Sequence, residues 1–168
     1  AIPLALSAAS GTAASWGAII KGGKFLEGLN QCKAVVLDKT GTITEGKLKI
    51  ENQTHFNDFT EDYFLSLLGA IMAESNHPTA KAIMNFVKAK GIKLAEVQDT
   101  YEESGYGIGA QIGGQSLFAG RPGFLESKNI KFSSEETAAF EREKDSGRSV
   151  IVLSRGEKTV GFVSLSDS

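Results

Sequence analysis

The chain has 168 residues, enough for one ordinary domain or for a small domain and part of another. Eighteen basic and twenty acidic residues give a formal net charge of -2. This balance gives no electrostatic reason to expect a nucleic-acid partner, because binding a phosphate backbone needs a concentrated basic surface. The single cysteine, Cys32, excludes an intrachain disulfide and a CxxC metal site, and it fits a reducing compartment.

The first segment along the chain, residues 1–20, carries no charge and is rich in Ala, Ser and Gly. It is long enough to span a bilayer, although it is only weakly apolar. No Lys or Arg precedes it, as a signal peptide would require, and the first residue is not Met. We expect the cytoplasmic end of a transmembrane helix that begins upstream, with Lys21 and Lys24 at the membrane boundary. A buried soluble helix of small residues is the alternative.

A short helix is expected over residues 25–29, and the apolar run Ala-Val-Val-Leu follows at residues 34–37. The length and β-branching of this run predict a strand buried on both faces, and hence a parallel α/β sheet. Asp38 comes directly after the run. Open α/β sheets place their active sites at the carboxyl ends of such strands, so Asp38 is a candidate functional residue.

A different pattern begins at residue 47 and predicts an α+β domain of about six strands and several helices. Gly113 and Gly114 predict a two-residue hairpin turn, and Ser133 with Glu136 predicts a capping box at the start of a helix. The expected strands are 48–54, 101–102, 108–112, 115–119, 149–154 and 159–165, and the expected helices are 60–73, 78–90 and 133–147.

The turn after Asp38 is rich in Gly and Thr, so it exposes backbone N–H groups and hydroxyls around one point. Such a cluster can hold a phosphoryl group while the carboxylate of Asp38 attacks as nucleophile. Mg²⁺ would bridge this carboxylate and a phosphate oxygen, with the main-chain carbonyl of Thr40 as a second ligand and Lys39 adding positive charge. The plainer alternative is a strand followed by a polar turn, which any Asp-x-Thr-Gly would satisfy.

The full string at residues 38–44, Asp-Lys-Thr-Gly-Thr-Ile-Thr, resembles the phosphorylation motif of P-type ATPases, whose usual form has Leu in place of Ile43. The resemblance implies that Asp38 becomes phosphorylated and follows the first strand of a haloacid-dehalogenase-like, Rossmann-like domain. Superfamily phosphatases often carry a second Asp where this chain has Thr40. Thr removes an acid–base group, which would let an aspartyl-phosphate persist long enough to drive a conformational change.

The string Ser-Asn-His-Pro at residues 75–78 resembles the Ser-x-His-Pro motif of the heavy-metal-transporting P-type subfamily. The resemblance implies that His77 lies at the start of a helix and contacts the adenine of ATP. Taken alone, His77 would be read as a surface or capping residue. Relatives often carry Glu five positions before this His, but here Met72 occupies that place, which leaves the nearby Glu74 as a weaker nucleotide-binding candidate.

Gly105 and Gly107 resemble the Gly-x-Gly element of the same nucleotide-binding domain, where glycines let the backbone approach the nucleotide closely. A β-turn explains these two glycines equally well. Gly120 stands at the first place of a Gly-Asn pair found in many relatives. Arg121 departs from that pattern, so only Gly120 is carried over as a binding residue.

The resemblance implies four segments. Residues 1–20 end a transmembrane helix, 21–46 begin the α/β haloacid-dehalogenase-like phosphorylation domain, 47–165 form an α+β nucleotide-binding domain with a roughly six-stranded antiparallel sheet flanked by helices, and 166–168 are a hinge back to the phosphorylation domain. The actuator motif Thr-Gly-Glu and the Gly-Asp-Gly-x-Asn-Asp motif do not occur in the sequence. The chain is therefore expected to be a fragment that binds ATP weakly and cannot run a transport cycle.

The expected parent is a multi-pass membrane protein that uses ATP and Mg²⁺ to move a transition metal, with copper favoured, and this segment would be mostly cytoplasmic. The transported cation would bind outside the fragment. Two alternatives stay open: a soluble haloacid-dehalogenase-like phosphatase, and a non-catalytic ATP-binding module. An alkali-cation or proton pump would follow if the match at residues 75–78 were coincidental.

Overall fold

A computed structural model of the chain describes residues 2–29, 31–37, 48–103 and 105–167. The chain divides into two compact units, a helical unit (Ala1–Asp38) and a sheet unit (Lys39–Ser168). The helical unit contains α1 (Ile2–Ser15) and α2 (Gly23–Leu29), and the short helix expected near residues 25–29 is thereby confirmed. Within the described ranges, no helix combines the length and the apolar character that crossing a membrane requires.

The strand expected at residues 34–37 does not form in this structure. These residues have no regular secondary structure, and Val36 is 96% exposed. A parallel strand is stabilised by hydrogen bonds to neighbouring strands and by helices on both faces, and the described residues of the helical unit include no strand with which this run could pair. Asp38, Lys39 and Thr40, the predicted catalytic and Mg²⁺-binding residues, lie outside the described residues.

The sheet unit is built on six antiparallel strands in the order β1-β6-β5-β4-β3-β2. The six strands expected in this unit are confirmed, although β2 is longer than expected. The elements in chain order are β1 (Leu48–His55), α3 (Glu61–Met72), α4 (Pro78–Ala89), β2 (Gln98–Glu103), β3 (Gly107–Ile112), β4 (Gln115–Gly120), α5 (Pro122–Ser127), α6 (Ser134–Asp145), β5 (Ser149–Arg155) and β6 (Lys158–Asp167).

The helices cover both faces of this sheet, and each face has its own hydrophobic cluster. Neighbouring residues on a strand point to opposite faces, so Phe162 packs with the residues of α5 and α6, whereas Val163 packs with those of α3 and α4. The rings of Phe140 and Phe162 meet edge to face with centroids 5.3 Å apart. The sheet is therefore the middle layer of three.

Local sequence signals set most of the element boundaries. The side chain of Thr60 accepts a hydrogen bond from the N–H of Tyr63 at the start of α3. At the start of α6, Ser133 and Glu136 form the reciprocal capping box that the sequence predicts. Helix α5 was not predicted, because its six residues carry no helical pattern and it is held in place by the burial of Phe124 and Leu125.

Candidate functional site

A cavity of about 130 Å³ lies at one end of the sheet, on the α3/α4 face. The start of α4, the loop between β2 and β3, and the ends of β4 and β5 surround it. It brings together four residues that the sequence singled out from three separate stretches. They are His77, Gly105, Gly107 and Gly120.

His77 is the N-cap residue of α4, followed by Pro78 at the first helical position. Its Nδ1 accepts a hydrogen bond from the backbone N–H of Thr79 at 3.2 Å. In the neutral ring the proton is then on Nε2, which can donate to a ligand. Capping and ligand contact use different nitrogens, so the capping role of His77 and its place in the cavity are compatible.

Ser75 fixes the turn that precedes α4. Its hydroxyl accepts a hydrogen bond from the backbone N–H of His77 at 3.1 Å and donates to Oε1 of Glu102 at 3.0 Å. The turn carrying His77 is thereby tied to strand β2, and the carboxylate of Glu102 lines the same cavity. Sequence reasoning missed Glu102, since only the pairing of β2 in the sheet brings it next to residues 75–77.

The acidic candidate Glu74 is placed differently. It is exposed and is not among the residues that line this cavity. Met72, five positions before His77, does line the cavity and is buried. The wall next to α3 is consequently apolar, and the cavity receives its carboxylates from β2.

The glycines of the site have two different physical roles. Gly105 has φ +80°, and a Cβ there would meet nothing within 4 Å, so glycine supplies a backbone conformation. Gly107 and Gly120 face each other across β3 and β4. A Cβ at Gly107 would overlap the ring of Phe124, and a Cβ at Gly120 would lie 2.7 Å from that ring. This pair lets Phe124 pack against the sheet, a role the sequence did not predict.

A second cavity, of about 720 Å³, adjoins the first on the α5/α6 face. Tyr106 and Arg121 line both cavities, and Lys144 and Arg148 line the second. Lys144 pairs with Glu141, and Arg148 pairs with Glu143, each at 2.8 Å. Arg121 makes no ion pair or hydrogen bond through its guanidinium with the described residues, so it is the available cation at the boundary of the two cavities.

Glu143 anchors α6 to the sheet beside the second cavity. Burial raises the pKa of its carboxyl, but hydrogen bonds from Arg148, Ser164 and Asn52 outweigh this and hold the pKa below its ordinary value. The hydrogen bond between Glu143 and Arg148 also raises the pKa of Arg148. Glu143 is thus an ionised structural residue committed to its partners. Among the described residues, no group of three or more His, Cys, Asp or Glu side chains could hold a metal ion.

The family model described as "Hydrolase: haloacid dehalogenase-like hydrolase" matches residues 32–165. This chain belongs to that family. The copper-exporting P-type ATPase of Bacillus subtilis (strain 168) is 33% identical over 168 residues, covering 100% of this chain and 21% of the relative. The zinc-transporting ATPase of the same organism is 30% identical over 166 residues, covering 99% of this chain and 26% of the relative.

Two solved structures share the fold of this chain, one along nearly its whole length and one over its sheet unit. A zinc-transporting PIB-type ATPase in its E2.Pi state superposes with a TM-score of 0.69 at 27% identity, covering 99% of this chain and 27% of that protein. The N-domain of HMA8, a copper-transporting P-type ATPase, superposes with a TM-score of 0.62 at 23% identity, covering 70% of this chain and 99% of that domain. This haloacid dehalogenase-like chain thus matches a fragment of heavy-metal P-type ATPases and spans about a fifth of the length of the first curated relative.

Proposed function

We propose that this chain is the ATP-binding and phosphoryl-accepting segment of a P-type ATPase that transports a transition-metal cation. The observation that carries the proposal is the cavity around His77, Gly105, Gly107 and Gly120, since three distant stretches with nucleotide-domain resemblance meet there. The relatives named for copper and for zinc are about equally similar, so the proposal extends to a transition metal and leaves copper as one candidate.

The polar groups of the two cavities suit a nucleotide. The Nε2 of His77 offers a donor to a ring nitrogen of the base. Arg121 offers an unpaired guanidinium, which binds phosphate oxygens in a planar, bidentate geometry. The base would enter the smaller cavity, with the phosphate chain passing Arg121. The sheet unit would therefore bind ATP through both its base and its phosphates.

Asp38 would be the phosphoryl acceptor. A carboxylate oxygen of Asp38 would form a bond to the γ-phosphorus of ATP while the bond to the bridging oxygen breaks and ADP leaves. Mg²⁺, held by Asp38 and the main-chain carbonyl of Thr40 together with residues outside this chain, would offset the negative charge of the phosphates. Phosphorylation would then drive the conformational change that moves the cation through a membrane part of the parent protein.

Isothermal titration of ATP into this chain tests the nucleotide-binding part of the proposal. We expect His77→Ala to weaken ATP binding about tenfold, a loss of roughly 1.4 kcal/mol of binding free energy. His55→Ala is the matched control, since His55 is the other histidine and lies outside both cavities. Equal ATP affinity in wild type and His77→Ala would contradict the assignment of the cavity.

Phosphorylation is tested in the full-length parent protein with ATP labelled at the γ-phosphate. Asp38→Asn should abolish the acid-stable, hydroxylamine-sensitive label and leave ATP binding intact. Labelling that survives in Asp38→Asn would refute the acceptor assignment. Stoichiometric labelling of the isolated chain would instead refute the expectation that this segment is incomplete.

A further inference from the structure

We propose that Glu102 selects the base of the nucleotide, by accepting a hydrogen bond from the 6-amino group of adenine while Nε2 of His77 donates to a neighbouring ring nitrogen. This inference rests on the proposed function, because it concerns the same cavity. It adds the residue that decides between adenine and bases with a carbonyl oxygen at position 6.

The place of Glu102 in the fold directs its carboxylate toward His77. Glu102 lies near the end of β2, opposite Ile108 of β3. Its Oε1 accepts the hydroxyl proton of Ser75 at 3.0 Å, and the same hydroxyl oxygen is 3.1 Å from the backbone nitrogen of His77. One hydroxyl group therefore separates the carboxylate from the residue that carries the imidazole.

The next residue, Glu103, lines this cavity and the larger one, but its carboxylate has a partner of its own. Successive strand residues point to opposite faces, and Glu103 is paired with Lys128, which follows α5 on the opposite face of the sheet. This ion pair raises the pKa of Lys128. Two adjacent carboxylates thus differ in role: that of Glu103 is neutralised by a cation, and that of Glu102 faces the α3/α4 side.

Glu102 makes no ion pair with the described residues, and its hydrogen bond to Ser75 engages only Oε1. The second carboxylate oxygen remains an acceptor on the cavity wall. Ionised carboxylates accept only, and their hydrogen bonds are stronger than those of neutral acceptors. A carboxylate without an ion-pair partner and an imidazole donor therefore line the same cavity, while the wall formed by Met72 is apolar.

Adenine matches this pattern and the 6-oxo purines do not. Adenine carries an N–H donor at position 6 beside a ring-nitrogen acceptor at N7, whereas guanine carries acceptors at both places. A 6-oxo group would put its oxygen lone pairs against the carboxylate of Glu102 and leave that acceptor unpaired. A site arranged to hydrogen-bond one group rejects the analogue that lacks it.

The test compares ATP with inosine triphosphate, which has a 6-oxo group in place of the 6-amino group, by isothermal titration into this chain. Wild type should prefer ATP by about tenfold, since the site is partly open to solvent. Glu102→Gln should reduce this ratio to about one, because an amide can turn its N–H toward a 6-oxo group. Ser75→Ala should lower the ratio in part by releasing the carboxylate.

Two matched variants locate the effect. Glu103→Gln and Glu74→Gln should each keep the tenfold ratio. Glu103 lines the cavity but its carboxylate is paired with Lys128, and Glu74 lies outside the cavity. The inference would be overturned, with ATP binding left in place, if Glu102→Gln kept the tenfold ratio. A ratio of one in Glu103→Gln or Glu74→Gln would also overturn it, because the selecting carboxylate would then be a different one. If wild type binds neither nucleotide, the proposed function itself is wrong and the inference falls with it.

Discussion

Two apolar runs of nearly the same composition have opposite outcomes in this molecule. Residues 34–37 read Ala-Val-Val-Leu and are exposed without regular structure, whereas residues 150–153 read Val-Ile-Val-Leu and form the middle of β5. β5 is flanked by β4 and β6 and covered by helices on both faces. The difference shows that an apolar, β-branched run becomes a strand where other strands accept its backbone hydrogen bonds.

The strongest test of this difference is to replace a leucine by alanine in each of the two runs. Leu153→Ala should lower the free energy of unfolding by about 3 kcal/mol, because Leu153 is fully buried and truncation leaves a cavity. Leu37→Ala should change it by less than about 0.5 kcal/mol, since Leu37 is 59% exposed. Urea denaturation of this chain measures both, and comparable losses would show that residues 34–37 are packed in solution.

The contrast between a buried and an exposed position can also be tested at two glycines of the site. Gly107→Ala should cost about 2 kcal/mol of unfolding free energy, because the added methyl group would displace the ring of Phe124. Gly105→Ala should cost about 1 kcal/mol, because its only penalty is the positive φ. Thermal denaturation shows which variant loses more stability. A larger loss in Gly105→Ala than in Gly107→Ala would contradict the packing role of Gly107.

A third comparison concerns the polar contacts that tie α6 to β6 and β1. The carboxylate of Glu143 binds Arg148, Ser164 of β6 and Asn52 of β1. Glu143→Gln should cost roughly 1.5 kcal/mol at neutral pH, the value of a hydrogen-bonded charged group. Because the folded pKa of Glu143 is lowered, its contribution is full above the unfolded value of about 4.3 and is lost as the pH falls through the folded value.

Melting temperatures of wild type and Glu143→Gln, measured between pH 7 and pH 3, check this dependence. The difference between the two proteins should be constant down to about pH 4.5 and should shrink below it. A difference that grows as the pH falls would mean that the pKa of Glu143 is raised in the folded state. A difference that does not change with pH would assign its effect to packing alone.

Much of the sheet unit was predictable because its signals are local. The turn at Gly113 and Gly114 has positive φ at both residues, as a two-residue hairpin needs, and the capping box at Ser133 forms as predicted. The helix expected to start near Thr60 begins there, with Thr60 as its N-cap. The strand at residues 34–37 was predicted wrongly for the opposite reason. Its formation depends on partner strands, which a four-residue pattern cannot reveal.

Some residues of the candidate site were likewise found from the sequence, and others only from the structure. Motif resemblance picked out His77, Gly105, Gly107 and Gly120, and the structure gathers these four around one cavity. Motif resemblance could not reveal Glu102 or the packing of Phe124 against Gly107 and Gly120, because each depends on which strands lie side by side. Glu74, chosen because it is near His77 in sequence, lies outside the cavity.

The sequence by itself determined the acceptor hypothesis at Asp38, the capped starts of α3 and α6, and the hairpin between β3 and β4, since each depends on residues within a few positions of one another. Only the tertiary structure decided which apolar run is buried, which carboxylates line the cavity and which of them has an ion-pair partner. Those outcomes depend on contacts between strands and helices far apart along the chain, and burial and charge pairing are set by such contacts.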